Sequence, residues 1–250
     1  MNYKNIDNSI NNFSGFIIVL DILGFGDLLK NHSSKYIKDN IVDNIICSSN
    51  ISNYIINRDI NRFAKFSNVN ESECKFIEFI YFSDTIISFL KTNNEKNINN
   101  PELSIESVCY FCNLLISKAF EINIPLRGAI SYGDCFINKN PLFFLGYPIF
   151  EAFQMEKIQE WAGIVVTESA IKFCRENTEL HLVEYDVPIK QSKTKRMKVI
   201  NWPMHYNLYH KEMPNFEYCF NSKNKDVIRK KENTIQFYNT FSRLSESPVL

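Results

Sequence analysis

The sequence lacks a long hydrophobic run: nowhere in its 250 residues do apolar side chains continue for the roughly 18 residues that a membrane span needs. It also lacks net charge, with Lys+Arg and Asp+Glu equal at 28 each, so no global basic field would recruit nucleic acid. The opening segment, MNYKNIDNSINNFSG, is polar and Asn-rich and has neither the apolar centre nor the cleavage site of a signal peptide. A soluble, cytoplasmic protein is expected, one that binds neither nucleic acid nor membrane. A disulfide framework is lacking as well. Cys47, Cys74, Cys109, Cys112, Cys135, Cys174 and Cys219 are odd in number and irregularly spaced, which indicates reduced thiols in a chain able to bury its own core. Cys109 and Cys112 form a C-x-x-C, but within a helical apolar pattern and without a second pair. Structural zinc needs four ligands, so these are expected to be core cysteines. There is no internal repeat and no proline-rich or glycine-rich linker.

What is there suits one sizeable domain with a modest appendage. Residues 16–21 are expected to form a buried strand, and apolar residues at helical spacing from Asp27 to about Ile60 predict one long helix or two abutting ones. CKFIEFIYFSDTIISFL, residues 74–90, predicts a hairpin turning at Ser83-Asp84. A helix is expected over 103–122, stopped by Pro125. A strand follows over 126–137, whose small residues would let another backbone approach. Next come a helix over 147–162 with Pro148 in its first turn, a strand over 163–167 and a further helix. The β-α-β-β-α-β order predicts an α+β fold: a ferredoxin-like, split βαβ arrangement of a four- or five-stranded antiparallel sheet flanked by helices. KQSKTKRMK, residues 190–198, is expected to be a solvated loop, and a peripheral helix is expected over 226–244. The expected organisation is a polar tail over 1–13, a catalytic domain over 14–180, and a C-terminal α/β appendage over 181–250 packing on that domain.

FIIVLDILGF, residues 16–25, poses a question, because it ends an apolar strand on Asp21 just before a glycine turn. An unpaired buried carboxylate is costly, so something must neutralise it. Asp84 stands at the hairpin turn, which a ferredoxin-like sheet places beside the end of the first strand. Taken singly, Asp21 reads as a helix N-cap and Asp84 as a turn residue. Together they point to a divalent cation, and magnesium in particular favours one or two carboxylates plus substrate phosphates. The backbone N–H groups of Leu23, Gly24, Phe25 and Gly26, opening a helix, would then cradle a triphosphate.

The elements VLDILGF, YFSDTI, LRGAISYG and LGYPIFEAFQMEK occur in this order, and over residues 14–180 the chain resembles the class III nucleotidyl cyclase domain. Within that group it is most similar to the pyrimidine cyclases of the bacterial anti-phage system called Pycsar. The resemblance implies a head-to-tail homodimer with shared sites, and two Mn²⁺ or Mg²⁺ ions per site. Those ions would be held by Asp21, Asp84 and the Ile22 carbonyl. Where purine cyclases carry a base-reading Lys and Asp, this chain has Ile80 and Phe143. Where they carry an Asn and an Arg on the helix after the glycine, it has Phe150 and Gln154. Arg127 is a candidate for the missing phosphate-supporting cation, and Tyr81 for narrowing the base pocket. Glu151 and Glu156 are expected to be surface or interface charges.

The resemblance thus implies conversion of UTP, or alternatively CTP, to the 3′,5′-cyclic monophosphate and pyrophosphate. The product would be a second messenger for a separate effector protein in anti-phage defence. Two other readings stay open. One is a palm-fold dinucleotide synthase, although Phe82-Ser83-Asp84 is not the Gly-Gly-Asp-Glu of diguanylate cyclases. The other is a catalytically dead nucleotide-binding domain, against which both carboxylates stand.

Overall fold

The structure, a computed structural model, describes residues 11–44, 77–92, 101–139 and 142–242. At its centre lies β1 (Asn11–Ile22), whose residues Phe16 to Leu20 have no solvent exposure. They are apolar on both faces because neighbours close every side. β3 (Thr85–Lys91) pairs antiparallel along one edge and β4 (Leu126–Lys139) along the other. Close approach of β4 depends on Gly128, where a Cβ would stand 2.3 Å from the Val19 carbonyl oxygen. The small residues of LRGAISYG therefore do what their size suggests.

The expected hairpin is β2 (Glu78–Phe82) against β3, with Phe82 opposite Thr85 and Ser83 at φ 57 in the turn. Residues 74–76 lie outside the described residues. The helical pattern from Asp27 breaks into Phe25–Asn31 and a second helix beginning at Ser34, which passes into a π-helical turn at Lys38–Val42. Ser33 causes the restart, its Oγ accepting from the Tyr36 N–H at 3.2 Å as N-cap serines do. The rest of that pattern, from residue 45, lies outside the described residues. The Pro101–Glu121 helix buries Ile105, Val108, Cys109, Cys112, Leu115, Ile116 and Ala119 at three- and four-residue spacing. Cys109 and Cys112 are free, buried thiols, as expected of core cysteines.

Two expectations about the sheet are corrected. The Tyr147–Ile158 helix stops four residues short of 162, and β6 (Ile164–Val166) then pairs parallel to β4. The described sheet also has eight strands, in the order β2-β3-β1-β4-β6-β8-β7, where β7 is Leu182–Ile189 and β8 is Lys193–Ile200, with β5 (Leu142–Leu145) paired to the far end of β4. The basic run 190–198 is a turn and then a strand, not a loop. Gln191 and Ser192, at φ 66 and 54, reverse the chain between β7 and β8. Most of the run's Lys and Arg side chains stay exposed while Met197 is buried, so the strand starts in water and enters the core only in its second half. β8 joins β6 at Val165 opposite Val199. The closing helix, Lys225–Phe241, buries Phe237 against Trp161 and Tyr185.

Strand alternation sorts the central side chains between two helical layers. Ser131 donates its hydroxyl to the Pro148 carbonyl at 2.6 Å, so the face holding Ser131, Arg127 and Asp21 looks toward the 147–158 helix. Phe79 of β2 packs on Phe111 of the 101–121 helix, which covers the opposite face.

Candidate active site

Asp21 sits one residue from the end of β1, across from Thr85 on one side and Arg127 on the other. The Ile22 N–H donates to the Asp84 carbonyl at 3.0 Å, which clamps the hairpin turn to the end of β1. Pairing of β1 with β3 therefore brings together two carboxylates that are far apart in sequence. Gly24, at φ 81, turns the chain from β1 into the 25–31 helix, and its carbonyl accepts from the Asp27 and Leu28 N–H groups. On the outer side of Gly24 and Gly26, an added Cβ would meet nothing within 4 Å. Leu23 departs from the expected cradle, since its N–H donates to the Pro125 carbonyl at 3.0 Å.

Arg127 answers the question that Asp21 poses. Its Nη2 donates to Asp21 Oδ2 at 2.9 Å and also pairs with Glu156, while its Nη1 donates to the Gln159 carbonyl at 2.8 Å. Gln159 is itself held by bonds from its Nε2 to the Gly128 and Met155 carbonyls, and it accepts from Trp161 Nε1 at 2.9 Å. Arg127 and Glu156 are 8% and 5% exposed, so Glu156 is not the surface or interface charge that the sequence suggests. Glu156 shares the buried stripe of Ile149 and Ala152. That spacing could have revealed it.

The electrostatic balance of this corner is negative. Burial pushes the Asp21 carboxyl up from 3.8 to about 6; Arg127 opposes the rise, while Glu156 and Asp84 add to it. Asp21 thus feels two further carboxylates against one adjoining guanidinium. Oxygen donors with surplus negative charge suit a hard divalent cation, which needs few protein ligands when phosphates and water complete its shell. Asp21 has a second oxygen besides the one bonded to Arg127, and Asp84 stands beside it, so these residues fit such an ion. Among the described residues no group of three or more His, Cys, Asp or Glu forms a self-sufficient metal cage.

No protein-family model matches the chain, nor does any curated protein. Solved structures do. The catalytic core of a rhodopsin-guanylyl cyclase with converted specificity, in complex with ATPαS, matches at TM-score 0.50 and 11% identity, over 76% of this chain and 97% of its own. The fold is that of the class III nucleotidyl cyclase catalytic domain. The adenylyl cyclase CyaB from P. aeruginosa gives a TM-score of 0.46 at 10% identity, over 76% of this chain and 95% of its own. At these identities the likeness is one of fold.

Within this cyclase fold the remaining site candidates scatter. Ile80 lies on the Asp21 face, in line with Ile87 and Val19. Tyr81 alternates to the opposite face and stacks on Phe79 over the 101–121 helix, so its ring turns away from the carboxylates. Phe143 of β5 is 49% exposed and pairs with Asn138. At a rise of about 3.3 Å per residue, that places it roughly 35 Å along β4 from Arg127. Gln154 is exposed on the outer side of the 147–158 helix, one turn from the exposed Phe150. No helix among the described residues is long and apolar enough to cross a membrane.

Proposed function

We propose that this chain is a metal-dependent pyrimidine nucleotide cyclase that converts UTP to 3′,5′-cyclic UMP and pyrophosphate. The observation that carries the reading is the junction of Asp21 and Asp84 at one strand end of a class III cyclase fold, sealed by the Ile22–Asp84 hydrogen bond. Divalent cations, Mn²⁺ or Mg²⁺, would be held by Asp21, Asp84 and the Ile22 carbonyl. Bound there, they supply activation of the ribose 3′-hydroxyl and neutralisation of phosphate charge. The chain's own part is positional. The Gly24, Phe25 and Gly26 backbone receives the phosphates, and Arg127, braced by Glu156 and Gln159, fixes the Asp21 carboxylate. Because its charge is shared by two carboxylates, Arg127 serves as a positioning residue here and not as the phosphate-supporting cation.

The base is assigned by what the two base-reading positions lack. Ile80 offers no hydrogen bond to a purine edge, and neither does Phe143. An unmade buried hydrogen bond costs about 1–3 kcal/mol, so ATP and GTP are poor substrates. UTP is preferred to CTP on the resemblance to pyrimidine cyclases. The same resemblance supports a cytoplasmic second-messenger role in anti-phage defence, read by a separate effector.

Phe143, far along β4 from Arg127, would reach an Asp21–Asp84 site from a second copy of the chain, and the outward-facing Gln154 would meet such a copy at the surface. Leu142, Phe143, Leu145, Tyr147 and Phe150, 48–71% exposed, form the kind of apolar strip that marks an interface. The strip supports a homodimer with shared sites. The deciding experiment is incubation with each of the four nucleoside triphosphates and Mn²⁺, with products separated by chromatography. Cyclic UMP as the main product supports the reading. Faster cyclisation of ATP overturns the base assignment, and no product from any of the four overturns the activity.

A further inference from the structure

The Arg127 guanidinium is taken up by Asp21 and Glu156, so the proposed triphosphate needs another cation, and the C-terminal helix packs beside this corner. The 225–241 helix is pinned to the segment that follows the 147–158 helix. Arg229 donates to Glu160 Oε2 from Nε at 2.8 Å and from Nη2 at 2.5 Å. Asn233 donates to the Glu160 carbonyl at 2.7 Å, and Thr234 Oγ1 accepts from the Ala162 N–H at 2.8 Å. The other side of the same segment is Gln159, whose carbonyl holds Arg127. One short stretch, residues 159–162, therefore joins the C-terminal helix to the carboxylate corner.

Lys230 lies among these anchors. It follows Arg229 and stands one turn before Thr234, which bonds back to its carbonyl at 2.7 Å. Its side chain is half-buried, and its charge falls within the fields of Arg127, Glu160, Asp21 and Asp226. Lys230 stands four and seven residues before the buried Thr234 and Phe237, on the stripe of the helix that faces the 159–162 segment. Among the described residues no carboxylate lies within ion-pair distance of its ammonium, whereas Glu160 and Asp226 are both taken by Arg229. Burial disfavours that ammonium more than the fields of Glu160, Asp21 and Asp226 favour it, and among the described residues no ion pair of its own offsets the cost. A polyanion at the corner would.

We propose that Lys230 is the cation that binds the triphosphate of the substrate, delivered to the Asp21–Asp84 end of the sheet by the C-terminal helix. This rests on the cyclase reading of that end and gives the residues after 181 a part in the site. A lysine acts on phosphate as a point charge without fork geometry, so arginine at this position keeps part of the function and a neutral residue none.

The test uses the full chain and two probes. Inorganic tripolyphosphate with Mn²⁺ is titrated into the wild type, Lys230→Met and Lys230→Arg by calorimetry, after thermal melting has shown the three to be equally folded. The wild type binds, Lys230→Met binds roughly ten- to a hundredfold more weakly, as for one lost charge-assisted contact, and Lys230→Arg recovers most of the difference. With UTP, Lys230→Met raises KM more than it lowers kcat. Equal tripolyphosphate binding by wild type and Lys230→Met overturns the proposal, as does no binding by the wild type. If Lys230→Met is misfolded, Lys230→Gln takes its place under the same criteria. Lys230-dependent tripolyphosphate binding without turnover of any nucleotide sinks the cyclase reading and leaves this one standing.

Discussion

At one end of β4, Arg127 is buried among Asp21, Glu156 and the Gln159 carbonyl; at the other, Leu142, Phe143 and Leu145 of β5 lie open to solvent. The difference follows from what each kind of group demands. Desolvated charges must be paired within the chain, so the first end is finished without a partner and holds its carboxylates in place. Exposed apolar side chains are satisfied only by another surface, so the second end is half of something. A cyclase of this kind would place its chemistry on the first end and import its base wall from the second end of another copy.

Breaking the finished end should have the largest effect. Asp84→Asn is expected to lower cyclic nucleotide formation by roughly a thousandfold or more, the scale of losing charge stabilisation at a reacting phosphate. Its melting temperature should be unchanged or slightly higher, because a carboxylate repulsion is gone. Near wild-type turnover at saturating Mn²⁺ would refute the paired-carboxylate site. Breaking the open end comes next. Phe150→Glu should weaken self-association roughly tenfold to a hundredfold, as for a charge forced into an apolar interface, and activity should fall in step, read by sedimentation and turnover on the same samples. Mixing Asp21→Asn with Phe143→Asp should restore one working site per heterodimer. Mixtures that stay dead at every ratio contradict a shared site.

Two smaller effects sharpen the contrast at the finished end. Glu156→Gln takes one carboxylate from a buried arginine while keeping the side-chain shape, and it should cost about 1–3 kcal/mol in urea unfolding. The smallest effect is with pH. Folding raises the Asp21 pKa from 3.8 to about 6, so the folded state keeps a proton that the unfolded state releases. The resulting stability is fully present below about pH 3.8, falls as pH rises toward 6, and is flat above. Asp21→Asn should flatten that slope in a pH series of melts, and an unchanged slope would assign it to other groups.

The legible parts of the molecule are those where one residue breaks a strong pattern. Asp21 interrupts an apolar strand and Asp84 sits at a hairpin turn, so both stand out, and the central β-α-β-β-α-β order follows from hydrophobic period. Glu156 does not stand out, because a glutamate in mid-helix is ordinary unless its register with Ile149 and Ala152 is followed. Tyr81 misleads for a geometric reason: spacing to Asp84 counts across the turn, while strand alternation carries the ring to the other face. β8 is hidden by composition. Its Lys and Arg side chains face water, and the strand is held by its ladder to β7 and by buried Met197 and Val199, which a charge-rich run conceals.

The bond from Trp161 to Gln159 gives the molecule a built-in optical probe. The chain has two tryptophans, Trp161 and Trp202, and both are fully shielded from water, so the folded protein should emit at the blue end of the indole range. Only Trp161 is wired to the carboxylate corner, through Gln159 to Arg127 and on to Asp21. Any occupant that moves Arg127 alters the environment of that one indole, and replacing Trp202 with Phe would leave a single reporter. Occupancy of the corner could then be followed in unlabelled protein by emission alone, millisecond by millisecond, without waiting for product to form.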